Sequence, residues 1–256
     1  MIISKSLKKA IYLVPKTGSK SLFAIIKKLH HNLDWLDDDH MNLHMIVENS
    51  NHDDKKRNMV LSKFPDFFEY QYYSFLRDPI KRALSGFNHL LRTKSQLKNR
   101  NNTKDLKELV FINDLFEETT GIKLNNIQKG YLPLYKRTEH REYFKNLSII
   151  DVLEKFKRTP YLITFEKQYN WCSVPNSNIL NYADFENELK RVYKEFGGDS
   201  EFLNILPNIN KGPNEQEYMF RLMMQKKKFT PNEEEYVRDF YKEDIKLYEN
   251  LKKSKL

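Results

Sequence analysis

Apolar residues follow two rhythms along this chain. Ala10 to Val14 is a continuous apolar run, the pattern of a strand buried on both faces. It stops at Pro15, and beyond KTGSKS (16–21) the apolar positions Leu22, Ile25, Ile26 and Leu29 recur at helical spacing. The same order returns at Tyr72 to Leu76, a second buried-type run, followed by Arg77-Asp78-Pro79 and a helix through Ala83, Leu84, Phe87, Leu90 and Leu91. Pro79 suits the first turn of that helix and Asp78 its N-cap. Tyr161 to Phe165 and Asn178 to Tyr182 are further strand candidates, and Asp184 to Phe196 and Glu233 to Leu251 read as amphipathic helices. Strands alternating with helices predict an α/β fold with a central, mainly parallel sheet flanked by helices.

Two polar stretches, Thr93 to Lys104 and Asn208 to Glu217, read as loops too short to separate domains. Residues 1–256 are therefore expected to form a single domain. The patterns LKELVFINDLFEE and IIDVLEKF predict a mostly helical insertion around 93–160.

Composition adds three constraints. With 17 Phe and 15 Tyr in 256 residues, the chain can bury a sizeable core. Lys and Arg number 44 against 35 Asp and Glu, a net charge of +9, which favours anionic partners without choosing among them. Cys172 is the one cysteine, so an intramolecular disulfide is excluded; it is expected to pack near Trp171. The early apolar run AIYLVP is far shorter than the ~20 residues of a membrane span and lacks a cleavage signature. A soluble, cytoplasmic protein is expected. His30-His31 and the run Asp37-Asp38-Asp39-His40 read as solvated loop, so no metal site is expected.

Pro15 to Ser21 (PKTGSKS) carries the first candidate chemistry. A turn from strand to helix presents backbone N–H groups that converge on an anion. Gly18 permits close backbone approach, Lys16 brings a full charge, and Thr17, Ser19 and Ser21 bring hydroxyls. These residues describe either a phosphate cradle or an ordinary turn with a serine N-cap. They do not match the nucleotide-kinase loop, which needs two glycines and a following Lys-Ser/Thr. In FLRDPIKRALSGF (75–87), Arg77 closes a strand at the edge where open α/β sheets bind ligands, and Ser85 follows about two helical turns on. An arginine fork with a serine hydroxyl suits a phosphate; the alternative for Arg77 is an ion pair with Asp78 or a helix acid. Arg82 is expected to face solvent or a helix-surface partner. Two anion sites at strand ends suggest a ligand with two phosphate-like groups.

These residues resemble the sulfotransferases that use 3′-phosphoadenosine 5′-phosphosulfate (PAPS), in particular the carbohydrate branch related to heparan sulfate 2-O-sulfotransferase. The family's loop reads like PKTGSTS and its second motif like FVRDPxxRxxSxY. Weaker echoes follow at Gln168 with Trp171, ILNYADFENEL (179–189), LPNINK (206–211) and FYKEDIKLYENL (240–251). The resemblance spans most of the chain, with 93–160 least covered. It implies a P-loop-like three-layer fold. Pro15, Lys16, Thr17, Gly18, Ser19, Lys20 and Ser21 would hold the 5′-phosphosulfate, and Arg77 and Ser85 the 3′-phosphate. Lys20 stands where the family has threonine; there it either adds charge to the anion or points to solvent and leaves the cradle one hydroxyl short.

The resemblance further implies in-line transfer of a sulfuryl group from PAPS to a hydroxyl or amine, with a carbohydrate as the expected acceptor and no metal. Lys16 would stabilise charge growing on the leaving group. A histidine between the two motifs would serve as general base. His44, in NLHMIV, matches that place best and His40 next; His30, His31, His52 and the carboxylate Glu48 are the other candidates. Two other readings differ in class. A kinase-like phosphotransferase would need a metal-binding acid and a Walker lysine, which the sequence does not display. A basic nucleic-acid-binding protein would need a recognisable binding motif.

Overall fold

The structure is a computed structural model and describes residues 2–18, 22, 34–35, 58, 61–92, 103–124, 141–160, 162–173, 176–198 and 225–254. Five strands occur in chain order: β1 (Ile2–Ser4), β2 (Lys9–Tyr12), β3 (Asp34–Trp35), β4 (Gln71–Leu76) and β5 (Ser177–Asn181). The helices are α1 (Pro79–Arg92), α2 (Thr103–Thr120), α3 (Arg141–Asn146), α4 (Ile149–Arg158), α5 (Tyr169–Cys172), α6 (Phe185–Glu195), α7 (Pro231–Phe240) and α8 (Lys242–Lys253). The chain divides into two compact units. The first comprises Met1–Pro79, Lys167–Asn210 and Tyr241–Leu256, and the second Ile80–Glu166 and Lys211–Phe240.

The first unit contains one mixed sheet of order β3-β1-β2-β4-β5. β2, β4 and β5 are parallel neighbours, while β1 pairs antiparallel with both β2 and β3. The predicted strand at Ala10 to Val14 is β2, those at Tyr72 and Asn178 are β4 and β5, and the antiparallel edge is additional. Side chains alternate across the sheet as the pleat requires. Ile11, Leu13, Tyr73, Phe75 and Leu180 point to one face, where Leu189, Val192 and Tyr193 of α6 cover them. Ala10, Tyr12 and Tyr72 point to the other, against Phe64, Phe67 and Tyr70. Further along that face Val14 and Leu76 meet Trp171, Cys172 and Tyr248. Both faces are thus covered, giving the three layers of an α/β fold, and this is why β2 and β4 read as largely apolar runs. A side chain such as Phe75, 1% exposed, contributes about 2–3 kcal/mol by its burial. Cys172 lies beside Trp171 in this core.

The second unit is helical where described. α2 and α7 both pack on α4. α4 begins with a capping box: the Ser148 hydroxyl accepts the Ile150 N–H at 3.2 Å and Asp151 Oδ2 accepts the Ser148 N–H at 3.4 Å. Thr230 and Glu233 form the same reciprocal pair at the start of α7, at 3.3 and 3.0 Å.

Three expectations need correction. The expected strand at Tyr161 to Phe165 is a 3-10 turn at Ile163–Phe165. There the Phe165 N–H bonds back to Leu162 O, and a short apolar run does not by itself distinguish a strand from a buried turn. The single helix expected over Glu233 to Leu251 is two helices, broken at Tyr241 (φ −104, ψ 30); Tyr241 is a buried residue and neither Gly nor Pro marks the break. Arg82 does not face solvent. It is 1% exposed, and its guanidinium donates to Glu166 O at 2.7 Å.

Candidate functional site

The loop beyond β2 takes a shape that few side chains adopt. Pro15 ends the strand run, having no N–H to give a ladder. Lys16 has φ +66 and Gly18 φ +77, while Thr17 between them keeps a negative φ. Two left-handed residues flanking Thr17 turn the chain sharply here, and the Thr17 N–H donates back to Val14 O at 3.4 Å. Holding a lysine in the left-handed region costs about 1–2 kcal/mol, a cost typical of functional loops. Thr17 is 2% exposed. Its hydroxyl donates to Val14 O at 2.8 Å, so that proton closes the turn. Helical bonding then begins, with the Leu22 N–H donating to Gly18 O at 2.9 Å.

Aromatic side chains hold the loop from beneath. A Cβ at Gly18 would lie 3.0 Å from Tyr182 Cε2 and 3.3 Å from Phe185 Cε2. Glycine is therefore demanded twice, by dihedral and by space. Tyr182 and Phe185 pack on each other at 5.5 Å between centroids, and Phe185 packs on Phe75 at 4.8 Å.

Arg77 follows β4 directly. The parallel register pairs Tyr12 with Ser74, which brings the C-terminal ends of both strands to one sheet edge, where α/β folds bind ligands. Arg77 Nη1 donates to Lys16 O at 2.9 Å. Its guanidinium carbon lies 5.1 Å from the Tyr182 ring centroid, a cation–π contact that orients the planar group. The Arg77 backbone is held on both sides by Gln168: Arg77 N donates to Gln168 Oε1 at 3.0 Å and Gln168 Nε2 to Arg77 O at 2.8 Å. Gln168 is in turn fixed by Asp244 of α8. Asp244 accepts the Gln168 N–H at 2.8 Å and the Tyr169 N–H at 2.7 Å. Gln168 and Asp244 are both fully buried. The neighbouring pair Lys167–Glu243, at 2.9 Å, holds the Glu243 carboxyl below its ordinary range, chiefly through the Lys167 hydrogen bond.

Of the residues singled out by sequence, Lys16, Thr17, Gly18 and Arg77 come together around this edge. Ser85 is half-buried on α1, in the second unit. Ser19, Lys20, Ser21, His30, His31, His40, His44, Glu48 and His52 lie outside the described residues. Sequence reasoning assigned no role to Gln168, Tyr182 or Asp244, though each falls in one of the fainter echoes. Nothing in their chemistry singles them out, because they act through contacts between distant segments. Among the described residues no group of three or more His, Cys, Asp or Glu is arranged to hold a metal. No described helix is long and apolar enough to cross a membrane.

A sharply turned loop after one buried strand, bonded by the arginine that follows the neighbouring parallel strand, lies at the carboxyl end of a mixed sheet in an α/β protein. The sulfotransferase family model matches residues 1–250, and the chain belongs to that family. No curated protein and no solved structure matches it. Family membership gives it enzymatic activity of the sulfotransferase type.

Proposed function

We propose that this protein transfers the sulfuryl group of PAPS to a hydroxyl or amine of a carbohydrate acceptor by in-line displacement. The observation that carries the reading is the 2.9 Å hydrogen bond from Arg77 Nη1 to Lys16 O, which ties the two candidate anion sites together. The residues suit such a ligand: a tight loop at 16–18 whose glycine has no room for a Cβ, two cationic side chains, and an aromatic ring against the arginine.

PAPS supplies an activated sulfuryl group carried on a phosphate leaving group. In this reading Lys16 presents positive charge where the leaving oxygen gains negative charge, stabilisation set in place before reaction. The loop at Gly18, with Ser19, Lys20 and Ser21, holds the 5′ end; Arg77 holds the 3′-phosphate. His44 takes the acceptor's proton, with His40 as second candidate. The net charge of +9 favours an acidic glycan as acceptor.

The test is transfer of labelled sulfate from PAPS across a panel of glycans and small alcohols. Calorimetry with the desulfated product PAP and with ATP accompanies it. Binding of PAP without ATP, and label on a glycan, are expected; binding of ATP alone would overturn the reading in favour of phosphoryl transfer.

A further inference from the structure

A chain of buried hydrogen bonds runs behind Arg77. It starts on α8, where Asp244, 0% exposed, gives one carboxylate oxygen to each of two successive backbone N–H groups, those of Gln168 and Tyr169. That fixes the start of α5. Gln168, also 0% exposed, then uses its side-chain amide as a two-point clamp, accepting from the Arg77 N–H and donating to the Arg77 carbonyl. A neutral amide bound to both peptide groups of one residue fixes the backbone from which that residue's side chain departs. From that backbone the guanidinium reaches Lys16 O and lies over Tyr182.

We infer that Gln168 and Asp244 are positioning residues of this enzyme. Through the Arg77 backbone they set the distance between the arginine and the loop at Lys16, and so the preference for a nucleotide carrying a 3′-phosphate. The inference rests on the reading of Arg77 as a 3′-phosphate ligand and adds the device that aims it. Burial accounts for the use of an amide at 168. A charged side chain there would lose its solvation, and an apolar one would leave two backbone groups of Arg77 without their partner.

The experiment compares PAP with AMP, which differs from it only in lacking the 3′-phosphate. Calorimetry is run on the full chain and on Gln168→Met, Gln168→Asn and Asp244→Asn, with a thermal melt for each. Gln168→Met keeps the volume and removes both side-chain hydrogen bonds. It is expected to weaken PAP about tenfold, as for loss of about one hydrogen bond to a charged group, with AMP affinity unchanged within about twofold. Gln168→Asn keeps a neutral amide one methylene shorter, and Asp244→Asn keeps one of two acceptors; each is expected to give an intermediate loss of about threefold. If Gln168→Met melts below the assay temperature, these two milder variants decide. A merely structural role would lower melting temperature and weaken both nucleotides alike, and that result overturns the inference. So does a folded variant that keeps its PAP preference within about twofold. If the unsubstituted protein binds PAP no better than AMP, the reading of Arg77 itself falls and takes the inference with it.

Discussion

Gly18→Ala tests the anion loop at its tightest point. The new methyl meets two costs. The first is conformational: φ is +77, and placing an L-residue there costs about 1–2 kcal/mol. The second is steric: the Cβ would sit 3.0 Å from Tyr182 Cε2 and 3.3 Å from Phe185 Cε2. Those rings do not retreat freely, because Phe185 is packed on Phe75 and Tyr182 on Phe185; overpacking of this kind costs about 1–3 kcal/mol. The expected total is about 2–5 kcal/mol. Gly197→Ala is the control. It lies in the same unit with φ +79 and nothing within 4 Å of its added Cβ, so only the conformational cost of about 1–2 kcal/mol applies. Urea unfolding followed by tryptophan fluorescence measures both, Trp171 being fully buried in that unit. Gly18→Ala is expected to be the more destabilising by about 1–3 kcal/mol and to lose PAP binding as well. Equal cost at the two glycines would refute the packing of Tyr182 and Phe185 against the loop.

Other substitutions probe the remaining parts. Arg77→Lys keeps the charge but loses the planar fork that both bonds Lys16 O and stacks on Tyr182; PAP affinity by calorimetry is expected to fall at least about tenfold, and unchanged affinity removes Arg77 from the site. His44→Ala is expected to abolish sulfate transfer while PAP still binds; retention of most of the activity in the labelled assay takes His44 out of the role of base. In the second unit, burial pushes the Glu233 carboxyl up, but the Lys226 ammonium, the Thr230 N–H and the Ser148 hydroxyl outweigh it and bring it down to about 2. A carboxyl depressed on folding stabilises above its unfolded value, near 4.5, and loses that contribution as pH falls toward 2. Glu233→Gln is therefore expected to cost about 2 kcal/mol at pH 7, allowing for partial screening. The gap to the unsubstituted protein should close between about pH 5 and pH 2 in denaturant titrations. A gap that does not change with pH contradicts the ion-pair account.

The capping boxes show how far local pattern reaches. Ser148 with Asp151, and Thr230 with Glu233, are three residues apart in the chain, near enough for each pair to close its own turn. The strand–loop–helix order at Ala10 to Leu22 and at Tyr72 to Leu91 is legible for the same reason. A strand covered on both faces is apolar at most positions, so β2 and β4 announce themselves even with Ser74 inside β4. β1, three residues long and paired antiparallel, is too short to leave a periodic signal. The break at Tyr241 carries no Gly or Pro and leaves none either.

Residue type alone singles out Lys16, Gly18 and Arg77, because a cation or a glycine at a strand end is chemically conspicuous within a few neighbouring positions. Their relation to one another is a different matter. The Arg77–Lys16 bond joins residues 61 positions apart and the Gln168 clamp spans 91. Both exist because the parallel register sets Tyr12 opposite Ser74 and Leu76 opposite Asn181. A glutamine, a tyrosine and an aspartate are common residues anywhere on a protein surface. Only when the sheet and α8 bury them against a strand end do their hydrogen-bonding groups and ring faces acquire one possible set of partners.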